Sequence, residues 1–220
     1  MESRKKGIIF DMDGTLIDSM EGWRHIGSLC LAYCGGDAEA AGPDFDHRIY
    51  GMQEEEVVRE FAKYGIRFSG RRDFVETYYK AIRPYYETVK PMPGIMEVLE
   101  KGRAAGLSMC VATATRRDLA VPVLERLGIM PYMEFLLCCD DVGASKTRPD
   151  IYLESARRLG LPLAETVVFE DAAYCIRTLK AAGFTAVGIY DPTADPEETE
   201  EVRRLSDLFL QDYGQLLNMF

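Results

Sequence analysis

Four short stretches of the chain carry side chains whose types and spacing could do chemistry. "FDMDGT" (10–15) sets two carboxylates, Asp11 and Asp13, on either side of one Met directly after an apolar run, and Gly14 follows them. "VATAT" (111–115) ends a second apolar run with Thr113 and runs at once into Arg116 and Arg117. "ASKTRPD" (144–150) supplies Lys146, and "VFEDA" (168–172) supplies Glu170 and Asp171. Alone, each has a plain structural explanation: a turn, a polar strand end, a solvated lysine, a helix N-cap. Together they offer four carboxylates, a hydroxyl and an ammonium. Carboxylates that share a site repel one another unless a cation joins them. Hard oxygen donors without His or Cys suit Mg²⁺, which often shares a phosphate. Lys146 and Thr113 add the positive charge and the donor that a phosphoryl group wants. A helix starting after "TAT" adds backbone N–H groups. A carboxylate beside such a group is an established nucleophile for phosphoryl transfer. The same stretch fails as an EF-hand calcium loop. Counted from Asp11, the required Gly falls on Leu16 and the bidentate Glu on Gly22.

These residues need elements that bring them to one place. Short apolar runs at "GIIFD" (7–11), "GLSMCVAT" (106–113), "EFLLCC" (134–139), "TVVFED" (166–171) and "TAVGIY" (185–190) read as buried strands. Between them, Ile95, Val98 and Leu99 share one helical face, as do Ile151, Tyr152, Ala156 and Leu159. Strands alternating with helices predict an α/β fold, a Rossmann-like parallel sheet flanked by helices. All four stretches then fall at the carboxyl ends of strands, the edge where such sheets bind ligands. The span 17–89 is different: Val57, Phe61 and Tyr64, and Phe74, Tyr78 and Ile82, recur at helical spacing with few strand-like runs. We therefore expect a core of residues 1–16 and 90–220 and an inserted helical domain over 17–89. "DPTADPEETEE" reads as a solvated loop leading into a helix start.

The formal net charge of −10 argues against nucleic acid as a partner, and no apolar run is long enough for a bilayer. No signal peptide is read at the start, where three apolar residues precede Asp11. Six cysteines without C-x-x-C spacing read as reduced thiols and not as zinc ligands, so a cytoplasmic location is expected.

The ordered set "DMDGT", "TAT", "SKTRPD" and "FED" resembles the haloacid dehalogenase superfamily, most of all its branch of β-phosphoglucomutase and sugar-phosphate phosphatases. The likeness runs from residue 7 to about 190 and implies that the helical insertion is a mobile cap. It implies further that Asp11 is the nucleophile, and that Asp13 is first the general acid and then the base. By the same resemblance Gly14 permits the turn, Thr113 and the Ala114 N–H bind phosphoryl oxygens, and Lys146 neutralises charge and holds Asp11. Mg²⁺ would sit on Asp11, Asp13 and Asp171 with Glu170 in support, and Arg116 and Trp23 are candidate substrate contacts. Ala172 and Cys175 depart from the family's usual Ser and Gly, and Thr147 stands where Pro is usual. Loss of that Ser removes a possible support for the metal. In the cap, Trp23 and Glu54 occupy the places of the mutase's His and Arg, which favours a phosphatase. The expected activity is Mg²⁺-dependent hydrolysis of a small phosphorylated metabolite, a sugar phosphate by preference, through an aspartyl-phosphate. A phosphomutase or a non-catalytic phosphate-binding relative are the alternatives.

Overall fold

The structure, a computed structural model, describes residues 5–50, 52 and 54–217. The opening residues 1–4, where no signal peptide is read, and residues 218–220 lie outside the described residues. The chain divides into two compact units, Met1–Asp18 with Lys90–Phe220, and Ser19–Val89.

The first unit is built on a parallel sheet of β1 (Gly7–Phe10), β2 (Ser108–Thr113), β3 (Leu136–Cys138), β4 (Thr166–Glu170), β5 (Thr185–Ile189) and β6 (Leu208–Leu210). Their spatial order is β3-β2-β1-β4-β5-β6, so β1 is central and the order reverses beside it. Both faces are covered, which is why the strands are apolar throughout rather than alternating. Ile9, Cys110, Ala112, Leu137, Val168 and Ala186 face the helices Asp150–Leu159, Ala173–Ala182 and Pro196–Leu205. The alternate residues Ile8, Phe10, Met109 and Val111 are equally buried. On that side the helix Ile95–Ala104 comes close enough that a Cβ on Gly102 would stand 3.0 Å from the Met109 sulfur.

The Rossmann-like parallel sheet agrees with the alternation of apolar runs and helical stretches, with two differences in detail. The run 134–139 ends as a strand at Cys138 because the Asp141 carboxylate accepts the Cys138 N–H at 2.7 Å and starts the short helix Cys139–Val142. The edge strand β6 was not among the runs read as strands, since three residues are too few to show a period. "DPTADPEETEE" does lead into a helix, Pro196–Leu205, with Pro at its first turn.

The second unit is helical: Met20–Arg24, Ile26–Tyr33, Ala38–Ala41, Phe45–Tyr50, Glu54–Ala62 and Arg71–Tyr86. The amphipathic spacing of Phe74 and Ile82, and of Val57 and Phe61, puts these residues inside it. Its core is aromatic, with Phe45 edge-on to Phe61 at 5.7 Å and Phe68 edge-on to Phe74 at 5.1 Å. The chain leaves and rejoins the sheet unit through a tied pair of segments: the Asp18 N–H donates to the Lys90 carbonyl at 2.9 Å, and the Met92 N–H to the Leu16 carbonyl at 3.0 Å.

Candidate active site

Strand register brings the first carboxylates together. Phe10 of β1 pairs with Phe169 of β4, and the Asp11 N–H extends the ladder by donating to the Phe169 carbonyl at 3.0 Å. Asp11 therefore emerges beside Glu170, with Asp171 next along. Ligand oxygens of Asp11, Glu170 and Asp171 lie within 4.8 Å of one another, and all three residues are buried. The chain then turns sharply. The Leu16 and Ile17 N–H groups both donate to the Met12 carbonyl, at 2.8 and 3.0 Å. Gly14 sits at φ 75°, where a side chain is strained, and its N–H donates to the Ile17 carbonyl at 2.9 Å. This turn leaves Asp13 half-buried at the strand end.

Lys146 comes from the loop that precedes the helix Asp150–Leu159. It is buried while its neighbours Ser145 and Thr147 are exposed, so the loop turns this one side chain inward. Its ammonium donates to Asp11 Oδ1 and, at 2.7 Å, to Glu170 Oε1. Lys146 is only 3% exposed and is thus a desolvated cation held by two carboxylates. Burial alone would lower its pKa, yet Asp11 and Glu170 together keep it well above the ordinary lysine value.

Three buried carboxylates and one ammonium leave two negative charges uncompensated if all ionise. Burial, and then the charge of Glu170, push the Asp11 pKa up to about 8. Burial, Asp11, Glu170 and Asp191 push that of Asp171 up as well. A divalent cation is the natural counter-charge. An all-oxygen donor set without His or Cys suits a hard ion such as Mg²⁺, so these residues fit the metal that the resemblance implies.

Thr113 ends β2 fully buried, and its hydroxyl oxygen accepts the Thr115 N–H at 2.9 Å. With one lone pair engaged in this way, the hydroxyl proton is directed elsewhere, as a phosphoryl-binding donor requires. Thr115 has its own task. Its hydroxyl donates to Asp13 Oδ2 at 2.6 Å and so orients that carboxylate. Ala114 between them is exposed. Arg116 is the N-cap residue of the helix Arg117–Arg126, and its guanidinium pairs with Asp118 at 3.1 Å.

Trp23 belongs to the helical unit. Its Nε1 donates to the Tyr86 hydroxyl at 2.8 Å, and its ring meets Tyr79 and Tyr86 edge-on. With Arg24, Asp46, Met52 and Glu54 it lines a cavity of about 350 Å³ inside that unit.

A family model described as haloacid dehalogenase-like hydrolase matches residues 5–183. The chain belongs to this family. This haloacid dehalogenase-like hydrolase is similar to a phosphorylated carbohydrates phosphatase of Thermotoga maritima, 28% identical over 83% of each chain. It is likewise 28% identical to a fructose-1-phosphate phosphatase of Escherichia coli, over 86% of this chain and 98% of that one. Among solved structures it resembles a Thermotoga maritima protein provisionally described as a β-phosphoglucomutase, with a TM-score of 0.77, 25% identity and 97% of each chain covered. Family membership makes the chain a hydrolase, and its relatives support a phosphoric monoester hydrolase acting on phosphorylated metabolites.

The hydrolase's site holds three further residues that local sequence patterns do not single out. Thr115 closes "VATAT" and holds Asp13. Asp191 lies buried just past β5, where its charge raises Asp171. Tyr152 shares an apolar helical face with Ile151, Ala156 and Leu159, yet its hydroxyl donates to Glu170 Oε1 at 2.6 Å. A buried Tyr on such a face is the one available signal, since a buried hydroxyl needs a partner.

Proposed function

We propose that the chain is a Mg²⁺-dependent phosphatase that hydrolyses a small phosphorylated metabolite, with a sugar phosphate the preferred class. The observation that carries this reading is the buried cluster of Asp11, Glu170 and Asp171 with Lys146 donating into it. Asp11 attacks phosphorus, forming an aspartyl O–P bond as the ester P–O bond breaks. Asp13, oriented by Thr115, gives its proton to the departing oxygen. Asp13 then takes a proton from water, whose oxygen bonds to phosphorus and releases the Asp11 carboxylate and phosphate. Thr113 and the Ala114 N–H receive phosphoryl oxygens, and Lys146 offsets the charge that builds on them. Mg²⁺ on Asp11, Asp171 and the Asp13 backbone, with Glu170 in support, would supply charge neutralisation to the same phosphoryl oxygens.

The helical unit takes the role of the cap and selects the substrate, with Trp23 as its first candidate contact. Arg116 is a weaker candidate for the substrate, because Asp118 already engages it. Reduced thiols suit an enzyme of the cytoplasm. Overall likeness to the β-phosphoglucomutase-like structure favours a second reading, phosphomutase activity, against which Glu54 stands at the mutase's Arg place and pairs with Arg71 at 3.0 Å.

Phosphate release from sugar phosphates, phosphoglycolate and nucleotides, measured with and without Mg²⁺, tests the proposal. We expect Mg²⁺-dependent release with a preference for sugar phosphates. No release from any of them, together with bisphosphate-stimulated conversion of β-glucose 1-phosphate to the 6-phosphate, would replace it with the mutase.

A further inference from the structure

Glu170 Oε1 accepts two hydrogen bonds, from Lys146 at 2.7 Å and from the Tyr152 hydroxyl at 2.6 Å. Tyr152 is completely buried, and its ring is set edge-on against Phe184 at 6.3 Å. A phenylalanine would satisfy that packing, so the hydroxyl answers to Glu170 and not to the core. The face of the Tyr152 ring lies 5.7 Å from the Lys146 ammonium. Tyr152, Glu170, Lys146 and Asp11 thus form one buried chain of contacts ending on Asp11.

We propose that Tyr152 is a positioning residue for the hydrolysis: its hydroxyl fixes Glu170 so that Lys146 stays aimed at Asp11. The reason is competition. The Lys146 ammonium is shared between two carboxylates, and its place between them depends on where Glu170 is held. With the hydroxyl present, Glu170 Oε1 is saturated by two donors and its carboxylate cannot turn. Without it, Glu170 is held at that oxygen by Lys146 alone and can swing, taking the ammonium with it. The charge at Asp11 changes during the reaction as its carboxylate becomes an acyl phosphate, so a lysine on a fixed support is needed where a mobile one would follow the charge.

The proposal rests on the phosphatase reading for its kinetic consequence but not for its geometry, and the test separates the two. Tyr152→Phe keeps the ring and removes the hydroxyl. Its kcat on the best phosphate ester should fall about 10-fold with KM nearly unchanged, the scale seen for partners one step behind a site. In protein carrying ¹⁵N-lysine, the slowly exchanging ammonium signal of Lys146, assigned by its loss in Lys146→Met, should shift or broaden in Tyr152→Phe. A wild-type kcat, or an unaltered Lys146 signal, would overturn the proposal, the second even if kcat falls, since Tyr152 would then act through packing alone. If the wild-type protein hydrolyses no phosphate ester, the phosphatase reading fails and the ammonium signal alone decides. Should Tyr152→Phe not fold, the hydroxyl proton of Tyr152 in the wild-type protein decides: a slowly exchanging signal supports its hold on Glu170, and a rapidly exchanging one overturns it.

Discussion

The sheet edge and the helical unit bury polar groups in opposite ways. At the sheet edge, Asp11, Glu170, Asp171 and Lys146 are packed out of water, and Lys146 and Glu170 each hold more than one partner. In the helical unit the interior is apolar and rich in aromatic rings, its one buried carboxylate among the described residues, Glu60, is paired with the exposed Lys63 and Arg48, and Arg24, Asp46 and Glu54 join apolar side chains in lining a cavity. Charge buried in a fixed network is costly, because desolvation opposes it. On the proposed function, the sheet edge would carry the reaction and the helical unit would choose among substrates.

Thr113 offers the strongest way to sharpen that contrast short of the nucleophile itself. Thr113→Val keeps the shape of a buried strand end and removes the donor that the Thr115 N–H orients. Loss of one such donor should lower kcat on the order of 10²-fold, with steady-state kinetics as the check. A wild-type rate would mean that phosphoryl oxygens are held elsewhere.

The pH dependence of stability probes the uncompensated charge. Asp11 binds its proton more tightly in the folded state, at about 8, than at its ordinary 3.8. That contribution favours the folded state fully below the lower value and is lost as pH rises through the higher one. Asp171 shifts in the same direction. Lys146, raised above 10.5, keeps its contribution throughout this range. EDTA-treated protein should thus show a Tm that falls between about pH 5 and pH 8, and Mg²⁺ should raise Tm more at pH 8 than at pH 5. Scanning calorimetry at the two pH values reads this directly, and a Tm that rises over the range without metal would refute it.

The smallest effect belongs to the helical unit. Trp23→Phe loses the hydrogen bond to Tyr86 but keeps an aromatic ring. It should raise KM for the best metabolite by no more than about 10-fold and change kcat less, as expected of a residue that selects rather than reacts. A collapse of kcat would move Trp23 from recognition to chemistry and blur the division between the two regions.

These residues also mark what the sequence makes legible. Asp11, Glu170 and Asp171 announce themselves because each interrupts an apolar strand with charge, and strand order then gathers them at one edge. Lys146 is legible only through its neighbours in the ordered motifs, since a lone lysine in a polar loop looks solvated. Tyr152 escapes because its ring obeys the same helical period as Ile151 and Ala156, so a functional hydroxyl hides in an apolar pattern. Thr115 escapes for another reason: its partner Asp13 is 102 residues away, and no local spacing reports such a pairing. The three-residue strand β6 is too short for a period of two to show.

The central claim is that Asp11 takes the phosphoryl group within a metal-assisted cluster. Initial rates of phosphate release for wild type and Asp11→Asn, each with Mg²⁺ and with EDTA, test it most directly. We expect turnover only in wild type with Mg²⁺, and a loss on the order of 10⁴-fold or more in Asp11→Asn, because replacing a nucleophile disables the whole unit that depends on it. Comparable hydrolysis by folded Asp11→Asn would contradict the account.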